Sequence, residues 1–133
     1  MTHKTIPNIS CKYFNEKEET LSRQQIETLQ LERLQATVKH CMNSPFYKAR
    51  FEEAGLKPED ITTLEDIRKI PFTTKQDLRD TYPFGMASTS LKDCIRLHSS
   101  SGTTGNPTVI LHTQNDIDEW ANQVARNLWM VGL

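Results

Sequence analysis

The stretch "CIRLHSSSGTTGNPTVIL", residues 94–111, decides how this chain folds and what it can bind. Its first five residues alternate apolar and polar side chains, which is typical of a β-strand. Its last four residues, "TVIL", are β-branched and apolar, as in a buried strand. Serine, threonine and glycine dominate the residues between them. The sequence therefore predicts a strand, a loop and a second strand.

The chemistry of this loop leaves two interpretations open, a flexible connection or a cradle for phosphate. Gly102 and Gly105 can adopt positive φ, which lets successive backbone N–H groups turn inward around an anion. Hydroxyl donors surround them at Ser100, Ser101, Thr103 and Thr104. The loop is not a Walker A motif, because Asn106 stands where that motif has lysine, and G-x-G-x-x-G is absent.

A long helix is predicted well before the loop. Ser22 and Gln25 have the S-x-x-Q form of a capping box, and the pattern predicts a helix over about residues 22–42. Apolar residues then recur at helical spacing, namely Leu31, Leu34, Val38 and Cys41. This stripe is either a packing surface or, in an alternative without catalysis, a dimerisation element.

Shorter helices follow the long one. Ser44 as N-cap, Pro45 in the first turn and Gly55 after the last turn predict a helix between them. Two more are predicted, one starting after Thr63 and ending before Pro71, and one capped by Thr74 and Asp77 and ending before Pro83. Because these helices are short and interrupted, we expect them to form an arm that wraps around the rest of the chain and not a helix bundle.

The residues after the second strand predict an amphipathic helix that begins near Asn115 or Asp116. Its apolar positions are Ile117, Trp120, Ala121, Val124, Leu128 and Val131. Such a wide face requires a sheet to pack on, yet only two strands are predicted. We therefore expect these residues to be the beginning of a larger α/β domain.

Composition excludes several classes of protein. The chain has 133 residues and a net charge of −1, which gives no electrostatic footprint for nucleic acid or for a membrane surface. No apolar leader or span is predicted, so a cytoplasmic protein is expected. Three cysteines without a C-x-x-C pair, and scattered histidines, predict neither a disulfide framework nor a metal site. His98 and His112 flank the loop and are predicted to be strand-end or surface residues. Trp120 and Trp129 are predicted to be core or interface residues. The acidic run at 15–19 is predicted to be solvated.

The loop resembles the phosphate-binding signature of the adenylate-forming enzymes, with Ser101, Gly102, Thr103, Thr104, Gly105 and Pro107 in register. Three other blocks narrow the resemblance to the phenylacetate–CoA ligase family. They are "LSRQQIETLQLERLQATVKHCMNSPFYKARFEEAGL", "LEDIRKIPFTTKQDLRDTYPFG" and "NDIDEWANQVAR". The resemblance covers nearly the whole chain from about Tyr13. It implies an N-terminal helical region at 1–85 and the beginning of an ATP-binding α/β subdomain at 86–133.

The resemblance also implies the activity. Such ligases join an aryl carboxylic acid to CoA through an acyl-adenylate, with ATP as co-substrate and Mg²⁺ as counter-charge, and the resemblance allows a homodimer. The residues carried over as ATP phosphate-binding are Ser100, Ser101, Gly102, Thr103, Thr104, Gly105 and Asn106. No catalytic residue is implied within this chain, and we expect the chain alone to be inactive.

One departure concerns charge. The family commonly has lysine just before the proline of the loop, where this chain has Asn106. The loop therefore fixes no cation of its own, and we expect this to tune ATP binding. A free-standing nucleotide- or phosphate-binding module is the other alternative to a ligase.

Overall fold

A computed structural model describes residues 12–100 and 106–132 of the chain. The elements are helices α1 Glu16–Glu19, α2 Arg23–Cys41, α3 Pro45–Glu53, α4 Lys75–Asp80 and α5 Gln114–Met130, 3-10 turns Pro58–Asp60, Leu64–Lys69 and Leu91–Asp93, and strands β1 Cys94–Ser100 and β2 Thr108–Thr113. The predicted order of helical arm, strand, strand and helix is confirmed. The described residues form a helix-rich chain with a small two-stranded sheet.

Local signals in the sequence place most of the helix ends. The Ser22 hydroxyl accepts a hydrogen bond from the Gln25 N–H at 3.3 Å, and the Gln25 side chain accepts one from the Ser22 N–H at 2.8 Å. This reciprocal pair is the predicted capping box of α2. Gly55 follows α3 with a φ of +63°, the left-handed conformation expected of it.

Three helical predictions need correction. The Ser44 side chain does not cap α3; it is buried, and its hydroxyl donates a long hydrogen bond of 3.5 Å to the Gly85 carbonyl. The segment after Thr63 forms a 3-10 turn and not an α-helix. Helix α5 begins earlier than predicted, because Thr113 is its N-cap and forms a capping box with Asp116.

The core of the arm lies where α2 and α3 meet the two 3-10 turns between α3 and α4. Val38, Phe51 and Ile61 are buried there. The partly buried residues packed against them are Leu34, Met42, Leu56 and Ile70. The Gln35 amide donates a hydrogen bond of 2.8 Å to the Ile61 carbonyl, which ties α2 to the following turns. Two residues of the predicted α2 stripe, Leu34 and Val38, thus pack inside the arm.

The acidic run before α2 is more than a solvated lead-in. It forms the single-turn helix α1, and a Glu18 carboxylate oxygen lies 2.8 Å from the Arg126 guanidinium on α5. The Phe14 and Trp129 rings meet edge to face with centroids 6.2 Å apart. The start of the described chain is therefore attached to the far end of α5.

Strands β1 and β2 pair antiparallel as a ribbon. Their register places Ser100 opposite Thr108 and Arg96 opposite His112, with a bulge between Cys94 and Arg96. Helices α4 and α5 both contact β2. Within the described residues, no helix combines the length and apolar character required to cross a bilayer.

Helix α5 does not find the wide sheet that its apolar face predicts. Side chains at Trp120, Val124 and Leu128 remain almost half exposed, and Val131 is more exposed still. The ribbon covers only the first turns of α5, through Trp120. The apolar stripe of α5 is therefore mostly open among the described residues.

Candidate functional site

The predicted phosphate-binding residues lie at the end of the ribbon. Ser100 is the last residue of β1, and Asn106 lies two residues before β2. The other predicted members lie outside the described residues; they are Ser101, Gly102, Thr103, Thr104 and Gly105. The structure therefore fixes the two flanks of the predicted loop.

A hydrogen bond joins the two strands at these flanks. The Ser100 and Thr108 hydroxyl oxygens are 2.5 Å apart, and Thr108 is only 8% exposed. The two residues are also directly opposite each other in the register. Strand pairing and the hydroxyl contact thus hold the ends of the intervening segment side by side. A pair of strand ends held in this way can present donors from both flanks to one anion.

An aromatic cluster lies on the same face of the ribbon. His98 and His112 come from different strands, and their ring centroids are 4.9 Å apart in an edge-to-face arrangement. The Trp120 indole of α5 stacks on His112 at 5.8 Å and meets the edge of His98 at 5.5 Å. The His112 Nε2 atom is buried and has no hydrogen-bond partner among the described residues.

Sequence reasoning did not find this cluster. It treated His98 and His112 as separate strand-end or surface residues, and indeed His98 is exposed. The position of one histidine on each predicted strand was the available signal. Their contact depends on the register, which places His98 opposite Ile110 and so makes His112 its diagonal neighbour. Trp120, predicted to be a core or interface residue, is the third ring and stays 46% exposed.

A cavity of about 340 Å³ opens on the other side of β2. Its lining includes Tyr47 and Leu78 from the helical arm, Val109 and Leu111 from β2, and the 81–89 segment. The His40 Nε2 atom lies 3.1 Å from the Thr89 hydroxyl at its polar end. Because these residues come from distant parts of the chain, no local pattern in the sequence predicts the cavity. Its volume is within the range of small-molecule sites.

The carboxylate of Asp116 lines the same cavity and is held ionised. Hydrogen bonds from the backbone N–H and hydroxyl of Thr113 lower its pKa, and the nearby imidazoles of His112 and His40 lower it further. This carboxylate gives the cavity an acidic edge.

Within the part of the chain that the structure describes, no fixed cation or metal-binding group at the ribbon end replaces the lysine that the loop lacks. Arg96 is exposed on β1 and lies four residues before Ser100. Across residues 12–100 and 106–132, no group of histidine, cysteine, aspartate or glutamate side chains could hold a metal ion. The ribbon end therefore offers neutral hydrogen-bond donors and not charge.

Comparison with known proteins identifies relatives of this chain. No model of a known protein family matches it. The chain is 51% identical over 115 residues to the phenylacetate-coenzyme A ligase of Escherichia coli strain K12 and 52% identical over 115 residues to that of Pseudomonas putida. The Thermus thermophilus phenylacetate-coenzyme A ligase is 46% identical over 115 residues. Each match covers 86% of this chain and 26% of the relative, so the chain spans about a quarter of their length.

Solved structures of a CoA ligase are similar to this chain in fold. A 2-hydroxyisobutyryl-CoA ligase in its postadenylation state, in complex with 2-HIB-AMP, superposes with a TM-score of 0.84 and 28% identity, over 100% of this chain and 29% of that chain. The same ligase in its thioesterification state, in complex with 2-HIB-AMP and CoA, gives 0.83 and 29% over 97% of this chain and 28% of that chain. The predicted resemblance is confirmed.

Proposed function

We propose that this chain, which is related in sequence to the phenylacetate-coenzyme A ligases, supplies the phosphate-binding part of an AMP-forming ligase of that kind. The observation that carries the proposal is the identity of 46–52% to three such ligases over 115 residues. The proximity of Ser100 and Thr108 at the base of the predicted loop supports it.

The proposed reaction has two steps. The carboxylate of an aryl acid attacks the α-phosphorus of ATP, and pyrophosphate leaves to give an acyl-adenylate. The thiol of CoA, which loses its proton, then attacks the acyl carbon, and AMP leaves to give the thioester. The attacking carboxylate is already ionised, so the first step depends on positioning and on stabilisation of phosphate charge more than on a protein nucleophile.

The role we assign to this chain is to hold the β- and γ-phosphates during that first step. The residues proposed for it are Ser100, Ser101, Gly102, Thr103, Thr104, Gly105 and Asn106. Hydroxyl and backbone N–H donors would bind phosphate oxygens, and Asn106 would add an amide donor in place of a lysine cation. Mg²⁺ would offset the phosphate charge, as the resemblance implies; among the described residues, no group of three or more histidine, cysteine, aspartate or glutamate side chains is placed to hold it.

The remaining parts of the proposal follow the resemblance. We assign residues 1–85 to an N-terminal helical region and residues 86–133 to the beginning of an ATP-binding subdomain. The substrates would be an aryl carboxylic acid, ATP and CoA, the location cytoplasmic and the assembly a homodimer. The sequence similarity to the ligases supports these assignments.

A segment exchange tests the proposal. The 115-residue segment of the Escherichia coli phenylacetate-coenzyme A ligase that matches this chain would be replaced by the corresponding residues of this chain. The proposal expects the exchanged ligase to form phenylacetyl-CoA with dependence on both ATP and CoA. The matched control is the 133-residue chain alone, which is expected to form none. An exchanged ligase that folds but does not adenylate would refute the proposal.

A further inference from the structure

We infer that Trp120 is a positioning residue for the Ser100 hydroxyl, acting through the imidazoles of His98 and His112. The inference rests on the proposed function and deepens it, because it identifies what sets the geometry of the phosphate-binding flank. Trp120 lies on α5, outside the predicted loop, and it contacts one ring from each strand of the ribbon.

The position of the cluster along the ribbon supports this role. His98 is two residues from Ser100 on β1, so both side chains project from the same face. On β2 the residues of that face are Thr108, Ile110 and His112. The Ser100–Thr108 pair thus lies at the loop end of this face. The next residue on β1 is His98 of the ring cluster, and on β2 Ile110 lies between Thr108 and His112.

The ribbon needs an external support. An isolated two-stranded hairpin is only marginally stable in water. Residues of β1 are mostly exposed, and a bulge interrupts its pairing near Cys94. Trp120 contacts one ring from each strand and so ties both strands to α5, which restrains their separation and their relative slide.

Helix α5 can act as a rigid support because its other end is held as well. Arg126 pairs with Glu18 at 2.8 Å, and Trp129 packs edge to face on Phe14. Loss of the Trp120 ring would leave α5 anchored at its far end but would remove the ring contacts that join it to both strands, although α4 still contacts β2. A displacement on the order of 1 Å at a binding group can cost up to about 100-fold in rate.

The test uses the exchanged ligase with substitutions at two α5 residues that come from this chain, Trp120 and Leu128. We expect Trp120→Leu to raise the KM for ATP by about 10-fold or more, with little change in the KM for phenylacetate or CoA. Trp120→Phe keeps an aromatic ring and is expected to recover most of the loss. Leu128→Ala is the matched control, since it removes a half-exposed apolar side chain from the same helix, away from both the ribbon and the Phe14 contact.

A second pair of variants separates positioning from general loss of structure. His98→Leu should also raise the KM for ATP, and the double variant with Trp120→Leu should be no worse than the more impaired single variant, because both act through one cluster. Urea unfolding of each variant verifies that the protein is folded at the assay temperature. Multiplicative losses in the double variant would overturn the inference.

The failures are distinguishable. An exchanged ligase that is active but responds equally to Trp120→Leu and Leu128→Ala overturns the positioning role and leaves the proposed function intact. The same holds if Trp120→Leu changes the three KM values in parallel. An exchanged ligase that is folded and inactive before any further substitution overturns the proposed function and the inference together.

Discussion

Removing the Ser100 hydroxyl and removing the Thr108 hydroxyl should lower the free energy of unfolding by different amounts, although both break the same hydrogen bond. The two hydroxyl oxygens lie 2.5 Å apart, but Ser100 is exposed and Thr108 is only 8% exposed. Thr108→Val leaves the Ser100 hydroxyl where water can reach it, so we expect a loss of about 1 kcal/mol in the free energy of unfolding. Ser100→Ala leaves a buried hydroxyl without its partner, which should cost about 2 kcal/mol.

The double variant is the decisive measurement. With both hydroxyls replaced by apolar groups, no buried polar atom is left unsatisfied, and the total loss should be about 1 kcal/mol instead of the sum of about 3 kcal/mol. Urea unfolding of the 133-residue chain, followed by circular dichroism, measures all three variants. Additive losses, or a larger cost for Thr108→Val than for Ser100→Ala, would refute this reasoning.

The same variants separate stability from ligand binding in the exchanged ligase. If Ser100 binds phosphate, Ser100→Ala raises the KM for ATP more than Thr108→Val does, because the latter keeps the Ser100 hydroxyl available. An equal rise in both variants would mean that the hydroxyl acts only through its bond to Thr108.

Three further predictions concern the core, the pH dependence and the loop. Ile61 is 1% exposed, so Ile61→Ala should lower the free energy of unfolding by about 3 kcal/mol, measured by urea unfolding. Ile95 is 57% exposed, and Ile95→Ala should lower it by less than about 1 kcal/mol. Hydrogen bonding from Lys69 and from nearby backbone N–H groups holds the pKa of Asp66 well below its usual value. The stabilisation from the Asp66 carboxylate is therefore complete above about pH 4 and is lost as the pH falls further. In thermal unfolding, the Tm of Asp66→Asn should fall less below about pH 4 than the Tm of the unmodified chain. Asn106→Lys in the exchanged ligase should lower the KM for ATP by about 10-fold, because a charge-assisted hydrogen bond replaces a neutral one; an unchanged KM would place residue 106 away from the phosphates.

Local signals predicted helix ends well where one interaction dominates. The capping box of Ser22 and Gln25 and the left-handed Gly55 were both predicted, because each depends on residues within a single turn. Ser44 was predicted to cap α3, yet burial places its side chain against Gly85 instead. The Thr113 cap of α5 was missed, because the predicted strand ended at Leu111, whereas β2 continues to Thr113 and passes directly into the helix.

The candidate site, like the helix ends, was predicted from the sequence only in part. The hydroxyl and glycine pattern of residues 100–106 left a flexible connection and a phosphate cradle open, and the family resemblance favoured the cradle. That resemblance is confirmed by the ligases that match the chain. The hydrogen bond from Ser100 to Thr108 could not be predicted from that pattern. It requires the strands to pair in one register, since a shift by one residue would turn Thr108 to the opposite face.

The sequence by itself determined the order of the elements, most of the helix caps and the relationship to the ligases, because each of these depends on neighbours in the chain or on matched blocks of residues. Only the tertiary structure decided that His98, His112 and Trp120 form one cluster and that distant residues line a cavity beside β2. Such contacts depend on strand register and on the rotation of α5 about its axis. Both are set by how the elements pack together, and neither is encoded within any single segment.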